Sequence, residues 1–373
     1  MTRSFAKRSS ASPSADAGDE SAMRFAAGLR YPGPQARQGH IESWFLKAND
    51  PRSRRALWLR WTLWASERAP TAAIAEVWAV AFGADGGPVA AKAGVPYGGG
   101  LAGGQANCDR QGLGVAIDGC TLTPERAKGR VETGGRVIAY DLKVTPLAES
   151  LLHFASPWMY SPMWPWQKIA SPVPSALFSG LVEVAGESWA VDGWPGMIGH
   201  NWGRRHAPLY AWGQCSTWDE HEGTGGVDGK RDGGDDLVLE GFSVGAGGPI
   251  LGATLLCVRY QGVRHDLNGL RALARNAGAI TPRRWRFRGR SPGLDIDGEL
   301  WAETEDMVGL HYPNPDGTHA HCLNSELARA EVTMRVKGGA NGGKRGVART
   351  FRSSRAALEI GTHDPHHGVR MVL

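Results

Sequence analysis

The sequence predicts an all-β protein, and three observations carry that prediction. Glycine accounts for 52 of 373 residues and tryptophan for 15, against a usual glycine share of about 7%. Many glycines beside many aromatics favour short strands and tight turns over long helices. From Gly39 onward, segments with a period of two recur, separated by Gly/Pro/Asp clusters of the kind that turn a meander. No alternation of strand and helix and no repeat of fixed period accompanies them. The apolar share of 42% and charged share of 21% exclude a wholly disordered chain and a coiled coil. The length fits two domains of ordinary size.

The elements follow in order. Residues 1–37 are rich in Ser, Ala, Gly and Arg without a periodic apolar face, and are expected to form a flexible tail. Trp58, Trp61 and Trp64 fit a helical stripe, but Leu57, Leu59, Trp61 and Leu63 share one face of a strand, which is the preferred reading. In residues 74–82 one strand face reads Ile74, Glu76, Trp78, Val80, Phe82. In 136–144 it reads Ile138, Tyr140, Leu142, Val144, opposite Asp141 and Lys143. In 327–336 the apolar positions Ala328, Ala330, Val332, Met334 and Val336 alternate with Arg329, Glu331 and Arg335. A short helix is expected within 268–276, stopped by Gly278. Polar stretches at 223–236 and 338–346 are read as loops. A loose boundary in the 235–250 region divides the chain into domains 38–240 and 241–373.

The net charge of +5 gathers largely in the first 37 residues, and the near-neutral remainder does not imply nucleic acid. Five cysteines without a C-x-x-C pair argue against a disulfide framework and against a cysteine zinc site. His319, His321 and Cys322, and His363, His366 and His367, lack the spacing of a known metal site, so no metal is expected. Gly98 to Gly103 fits G-x-G-x-x-G, but no amphipathic helix begins after it, so no dinucleotide cofactor is expected. Charge-free windows at 150–167 and 241–258 are broken by proline or glycine and make poor membrane spans. No charged n-region leads into an apolar run at the start, which makes the cytoplasm the expected location.

Three signals point to a site. Eight tryptophans fall between Trp158 and Trp218, and the Pro-interrupted stretch that holds Trp164 cannot be a central strand. A lid or rim over an apolar cavity is the preferred reading, with peripheral membrane contact second. Glu42, Glu76 and Glu240 lie on otherwise apolar strand faces, where burial raises a carboxyl pKa and makes a proton donor near neutral pH. Gly241 to Gly245 fits the G-x-S-x-G of a serine hydrolase around Ser243, but Gly247-Gly248-Pro249 is a poor start for the helix such an elbow must open.

Gly199-His200-Asn201-Trp202-Gly203, then Tyr210-Ala211-Trp212-Gly213-Gln214-Cys215, and earlier Ile41-Glu42-Ser43-Trp44-Phe45 resemble the superfamily of carotenoid 1,2-hydratases, AttH-like proteins and tocopherol cyclases. The resemblance implies two tandem lipocalin-like antiparallel β-barrels with few short helices. It also implies a large apolar ligand, whether isoprenoid, lipid or polyketide, and proton addition to it in a water-poor pocket without a redox cofactor. Carried over, His200 becomes a proton relay and Glu240 the acid. Glu42, Trp44, Trp164, Trp202, Tyr210, Trp212 and Gln214 become ligand contacts. The motif's Asp is Gly199 here, so Asp192 is expected to substitute for it. The leading expectation is hydration, cyclisation or isomerisation of the ligand. A non-catalytic carrier is the runner-up, and a hydrolase using Ser243 comes third. Oligomeric state is not legible.

Overall fold

The computed structural model describes residues 15–33, 37–84, 86–98, 106–162, 165–222, 237–245, 252–337 and 347–373. The expected loops at 223–236 and 338–346, and residues 99–103 of the glycine motif, lie outside them. The described chain is all-β, in two large antiparallel sheets.

The first sheet takes β1 (His40–Asn49), β2 (Ala56–Ala65), β3 (Ile74–Phe82), β4 (Val89–Pro96), β5 (Ala106–Cys108), β6 (Val115–Ile117), β7 (Cys120–Leu122), β8 (Arg126–Thr133), β9 (Arg136–Pro146), β10 (Leu151–Leu152), β11 (Gln167–Val184) and β12 (Glu187–Gly203). The second takes β13 (Leu209–Cys215), β14 (Glu220–Glu222), β15 (Val238–Val244), β16 (Ala253–Tyr260), β17 (Val263–Leu267), β18 (Ala277–Thr281), β19 (Arg284–Arg290), β20 (Leu294–Trp301), β21 (Val308–Pro313), β22 (His319–Val336) and β23 (Arg349–Thr362).

The two sheets repeat one topology. The first runs β4-β3-β2-β1-β12-β11-β9-β8-β7-β6-β5, and the second β17-β16-β15-β13-β23-β22-β20-β19-β18. In each, the opening strand is flanked by the closing strand, and a pair of long strands (β11/β12, β22/β23) forms the spine. In the first sheet β4 comes round to pack on β8 and β9. Each sheet curls over its own apolar cluster, one joining Trp44, Trp61, Val77, Leu142 and Ile198, the other Leu239, Leu256, Trp285, Val332 and Leu358.

The chain passes from one sheet to the other between Gly203 and Leu209, and the boundary expected at 240/241 falls inside β15. The misplacement has a physical source: the polar stretch 223–236 reads as a linker in sequence, but the strands before and after it, β13 and β15, pair with each other.

Segment 1–37 also departs from the expected tail. Helix α1 (Ala15–Ala27) forms there, and Ala26, Ala27, Leu29 and Tyr31 are buried. Its anchoring is through small side chains and backbone groups, which leave no periodic apolar face in the sequence. The other expected elements fall in place. β3 spans the residues expected, β2 is a strand, and a one-turn helix, α2 (Leu270–Leu273), lies within 268–276.

The outer faces of the two sheets pack on each other. Trp58, Trp78, Val80 and Phe82 meet Val308, Leu310, Tyr312 and Leu327, and Phe45 and Met197 meet Trp212 and Ala357. Strand β1 is therefore buried along its whole length, with one face to the first barrel's interior and the other to the second sheet.

Candidate functional site

The residues expected to form one site form two clusters on opposite faces of the first sheet. Glu42, Trp44, His200 and Trp202 face inward, and the antiparallel register sets Glu42 opposite Trp202 and Trp44 opposite His200. The His200 ring stacks between Trp44, at 4.8 Å and 5°, and Trp202, at 4.7 Å and 27°.

Both oxygens of the Glu42 carboxylate are doubly bonded. Oε1 accepts from the Arg30 backbone N–H at 2.7 Å and from His200 Nε2 at 3.0 Å. Oε2 accepts from the Tyr31 N–H at 2.8 Å and from His40 Nε2 at 2.8 Å. His200 Nδ1 lies 2.7 Å from the Ala26 carbonyl oxygen. An oxygen acceptor therefore lies within hydrogen-bond distance of each ring nitrogen of His200. Burial alone would push the Glu42 carboxyl up, but the hydrogen bonds and charges of His200 and His40 outweigh it and hold it at about 2. Trp44 Nε1 donates to the Ala27 carbonyl at 2.7 Å.

The expected substitute for the motif carboxylate is not Asp192. That residue is exposed on β12 and pairs with Arg52 at 2.6 Å. Glu42 fills the role instead. Nor could a residue at 199 orient His200, because neighbours on a strand face opposite ways. A Cβ on Gly199 would meet the Phe45 ring at 2.1 Å, on the outward side.

The second cluster lies between the sheets. Tyr210, Trp212 and Gln214 of β13, together with Glu240 of β15, project toward the first sheet, with Trp212 against Phe45 at 5.3 Å. Glu240 Oε1 takes bonds from Ser171 of β11 at 2.8 Å, from His153 at 3.1 Å and from Trp212 Nε1 at 3.2 Å. Burial opposes ionisation of this carboxyl, but His153, Ser171 and Trp212 together pull its pKa below the ordinary value. Glu240 is thus held as a carboxylate, a proton acceptor and not the expected donor.

A chamber beside Trp212 is walled by Phe45, Phe154, Trp212, Phe242 and Tyr312, and also reached by Arg60, Gln167, Lys168, Asn201, His206, Tyr210 and Glu359. Its volume of about 40 Å³ accommodates two or three waters, whereas benzene takes a cavity of about 150 Å³. A second cavity of the same volume lies on the other side of Glu240, by Cys257 and Arg264. Neither holds a large apolar molecule without movement of its walls.

The chamber's wall keeps unsatisfied polar atoms. Arg60 Nε, His206 Nε2 and Gln167 Oε1 are buried without a hydrogen-bond partner. Arg60 Cζ lies 3.8 Å from the centre of the Tyr312 ring. His206 bonds Asn314 Oδ1 through Nδ1 at 3.0 Å. Burial and the Arg60 charge push its pKa down to about 3, so it is neutral. Tyr210 donates its hydroxyl to Glu359. Burial and the neighbouring Arg204 bring Lys168 down to about 8.

The covering segment matches the expected rim in part. Phe154 lines the chamber, and Tyr160 holds it by accepting the Phe154 N–H and donating to the Ile169 carbonyl, both at 3.1 Å. Trp158 and Trp166 expose 56% and 41% of their surface. Trp164 lies outside the described residues.

Ser243 is in the middle of β15, not at a strand-to-helix elbow. Its hydroxyl lies 2.8 Å from Thr254 Oγ1 and accepts from Trp285 Nε1 at 2.8 Å, facing the second core. The hydrolase expectation fails on that geometry. All five cysteines are free and buried. His321 and His367 approach each other at 2.9 Å, but no group among the described residues is arranged to hold a metal ion. No described helix is long and apolar enough to cross a membrane.

His153, Ser171, Lys168, His206 and Glu359 were not singled out from the sequence. Each comes from a different part of the chain and carries no local motif.

Comparison with known proteins agrees with this fold. No family model matches the chain. An uncharacterized protein of Mycobacterium tuberculosis, matched in strains CDC 1551 and H37Rv, is 27% identical over 308 residues, which is 79% of this chain and 82% of the relative. Among solved structures, an AttH candidate from Nitrosomonas europaea superposes with a TM-score of 0.51 at 14% identity, over 90% of this chain and 98% of that one. This likeness shows the fold: the chain is a tandem β-sheet protein of AttH-like architecture. Kievitone hydratase from Nectria haematococca has a TM-score of 0.47 at 9% identity, over 86% and 89% of the two chains, too distant to bear on this chain.

Proposed function

We propose that this protein binds an apolar small molecule in the chamber between its two sheets and performs acid–base chemistry on it, such as hydration, cyclisation or isomerisation. One observation carries the reading: aromatic rings and unsatisfied buried polar atoms converge on the same space. Buried polar groups are normally paired, and Arg60, His206 and Gln167 each keep an atom that is not. A ligand that supplies those partners recovers what burial cost them. The inward cluster offers no such opening, since Glu42 and His200 are already fully bonded.

Proton exchange on the chamber wall falls to the Tyr210–Glu359 pair, in which the hydroxyl donates to the carboxylate. Arg60 supplies a hydrogen-bond donor beside it through its unpartnered Nε. Glu240 and His153, one layer behind Trp212, set the charge of the site. Admission of a molecule larger than a few waters requires the chamber's walls, Phe154 among them, to move.

A carrier with the same chamber is the second reading, favoured by one observation: Glu240, the expected proton donor, is held ionised. The test is mass spectrometry of organic extracts from protein purified from its own host, with Trp212→Ala in parallel. A stoichiometric apolar molecule lost in the variant supports the chamber. Conversion of that molecule by wild type but not by Tyr210→Phe identifies an enzyme, and conversion by neither identifies a carrier. Equal retention in wild type and Trp212→Ala puts the ligand elsewhere and ends the proposal.

A further inference from the structure

Beyond β23 the chain turns through residues 363–368 and returns along the edge of β21 that β22 leaves open. Three backbone bonds hold it there, all at 2.8 Å: Gly309 N–H to the Arg370 carbonyl, Val372 N–H to the Gly309 carbonyl, and His311 N–H to the Leu373 carbonyl. Met371 forms a parallel bridge with Gly309, where a Cβ would strike the methionine sulfur. Val369 is buried in the second core, and Val372 and Leu373 pack on the cluster between the sheets. Residues 369–373 are a strap over the β21 edge.

The turn that leads into the strap is fastened by histidines. His367 Nδ1 accepts the Val369 N–H at 3.1 Å, and His367 Nε2 lies 2.9 Å from His321 Nδ1 on β22. These two contacts fix every proton. A nitrogen that accepts a backbone N–H carries no hydrogen, so the neutral His367 ring holds its proton on Nε2. That N–H donates to His321, whose Nδ1 is therefore bare as well. A second proton on His367 would land on Nδ1 and break the bond to Val369. A second proton on His321 would also land on Nδ1 and set N–H against N–H. The fastening exists only while both rings are neutral.

The surroundings favour that state. His321 meets His311 of β21 edge-on at 5.4 Å and His367 at 5.0 Å, and His319 and His363 also act on it through their charge. Asp364 works the other way, favouring a proton on His367. Burial outweighs it, and both rings are held below the ordinary histidine value.

We propose that His321 and His367 form an acid-released latch: neutral, they hold residues 369–373 on β21, and protonation of either frees them. The inference is independent of the chamber reading. The fastened form binds fewer protons than the freed one, so the latch holds fully above the ordinary histidine pKa of about 6.5 and weakens as pH falls below it. The ratio of fastened to free should drop about ten-fold per pH unit for each histidine that takes up a proton on release. Release uncovers the β21 edge and the apolar side chains beneath the strap.

Amide exchange read by NMR on the full-length protein tests this, expressed as protection factors so that the intrinsic pH dependence drops out. Between about pH 7.5 and 5.5, protection at Gly309, His311 and Val372 should fall about ten-fold or more. Leu323, paired with Ile360 in the body of the sheet, should hold steady. His367→Ala should show at about pH 7.5 the low strap protection that wild type shows only in acid, with Leu323 unchanged. Imidazole nitrogen shifts of wild type at the higher pH should report a bare Nδ1 on both His321 and His367. Strap protection that stays level in acid, an acid loss that persists in His367→Ala or is shared by Leu323, or a proton on either Nδ1 at the higher pH overturns the latch.

Discussion

Glu42→Gln is the sharpest test of the inward cluster. Each carboxylate oxygen accepts two bonds, from Arg30 N–H and His200 on one side and from Tyr31 N–H and His40 on the other. The glutamine amide keeps one oxygen and turns an NH2 group toward two donors, and the charge opposite His200 disappears. Breaking a buried pair by removing one partner costs about 3–5 kcal/mol. At about 2–4 °C per kcal/mol for a domain of this size, the melting temperature should fall by roughly 6–20 °C. The Arg30 and Tyr31 amides should exchange hydrogen faster than in wild type, because Glu42 is what ties them down. Acid should expose the same lock. The folded pKa of about 2 lies below the unfolded value of about 4.3, so the contribution is full above that value and is lost as pH falls from about 5 toward 2. Glu42→Gln should lack that component. A variant that melts within about 1 °C of wild type, with Arg30 and Tyr31 still protected, would refute the lock.

Other outcomes follow from the same geometry. Gly199→Asp, which restores the residue of the resembling motif, should destabilise by about 1–3 kcal/mol through overpacking on Phe45; a Tm equal to wild type would show that the side chain finds another path. Ser243→Ala should cost about 1–3 kcal/mol by orphaning Trp285 Nε1 and Thr254, and wild type should not be labelled by a fluorophosphonate. Glu326, raised to about 8 from an unfolded value of about 4.3, binds its proton more tightly when folded. Its contribution is full below the unfolded pKa and is lost as pH rises through about 8; Glu326→Gln should flatten denaturation midpoints across that window. Peripheral membrane contact through the exposed Trp158 and Trp166, with Arg205 over the Trp166 ring at 4.4 Å, predicts co-sedimentation with anionic vesicles that the Trp158→Ala, Trp166→Ala variant loses.

The strands were legible because period-two alternation survives wherever one face is apolar. Residues 74–82 and the alternating apolar positions after Leu327 are where it is cleanest. Alternation assigns parity and nothing more. On β1 it separates Glu42, Trp44 and Leu46 from Ser43, Phe45 and Lys47, but both sets are buried. Nothing in the sequence says which faces a barrel interior and which faces a second sheet. That single ambiguity explains why Glu42 and Trp44 were grouped with Tyr210, Trp212 and Glu240, which lie across the sheet from them. Helix α1 was illegible for a different reason. Its partners are the carbonyls of Ala26 and Ala27 and the N–H groups of Arg30 and Tyr31, and backbone groups leave no trace in residue type.

Hydrogen-bond satisfaction separates the two clusters by role. A histidine and a glutamate stacked between tryptophans invite a catalytic reading, and in sequence they receive it. Yet for His200 to accept or donate a proton it must first give up Ala26 or Glu42, and each loss leaves a buried partner stranded. The motif residues therefore act on the fold, fixing the N-terminal segment across the first barrel. Between the sheets the balance runs the other way. Arg60, His206, Gln167 and Gln214 keep buried polar atoms without partners, at about 1–3 kcal/mol for each such group. Several of these on one surface would come to a large part of the margin of an ordinary domain, about 5–15 kcal/mol, unless water or a ligand completes them. A surface whose unmet bonds approach the stability of the whole fold is where a bound molecule has most to contribute, and it is the surface where the aromatic walls also meet.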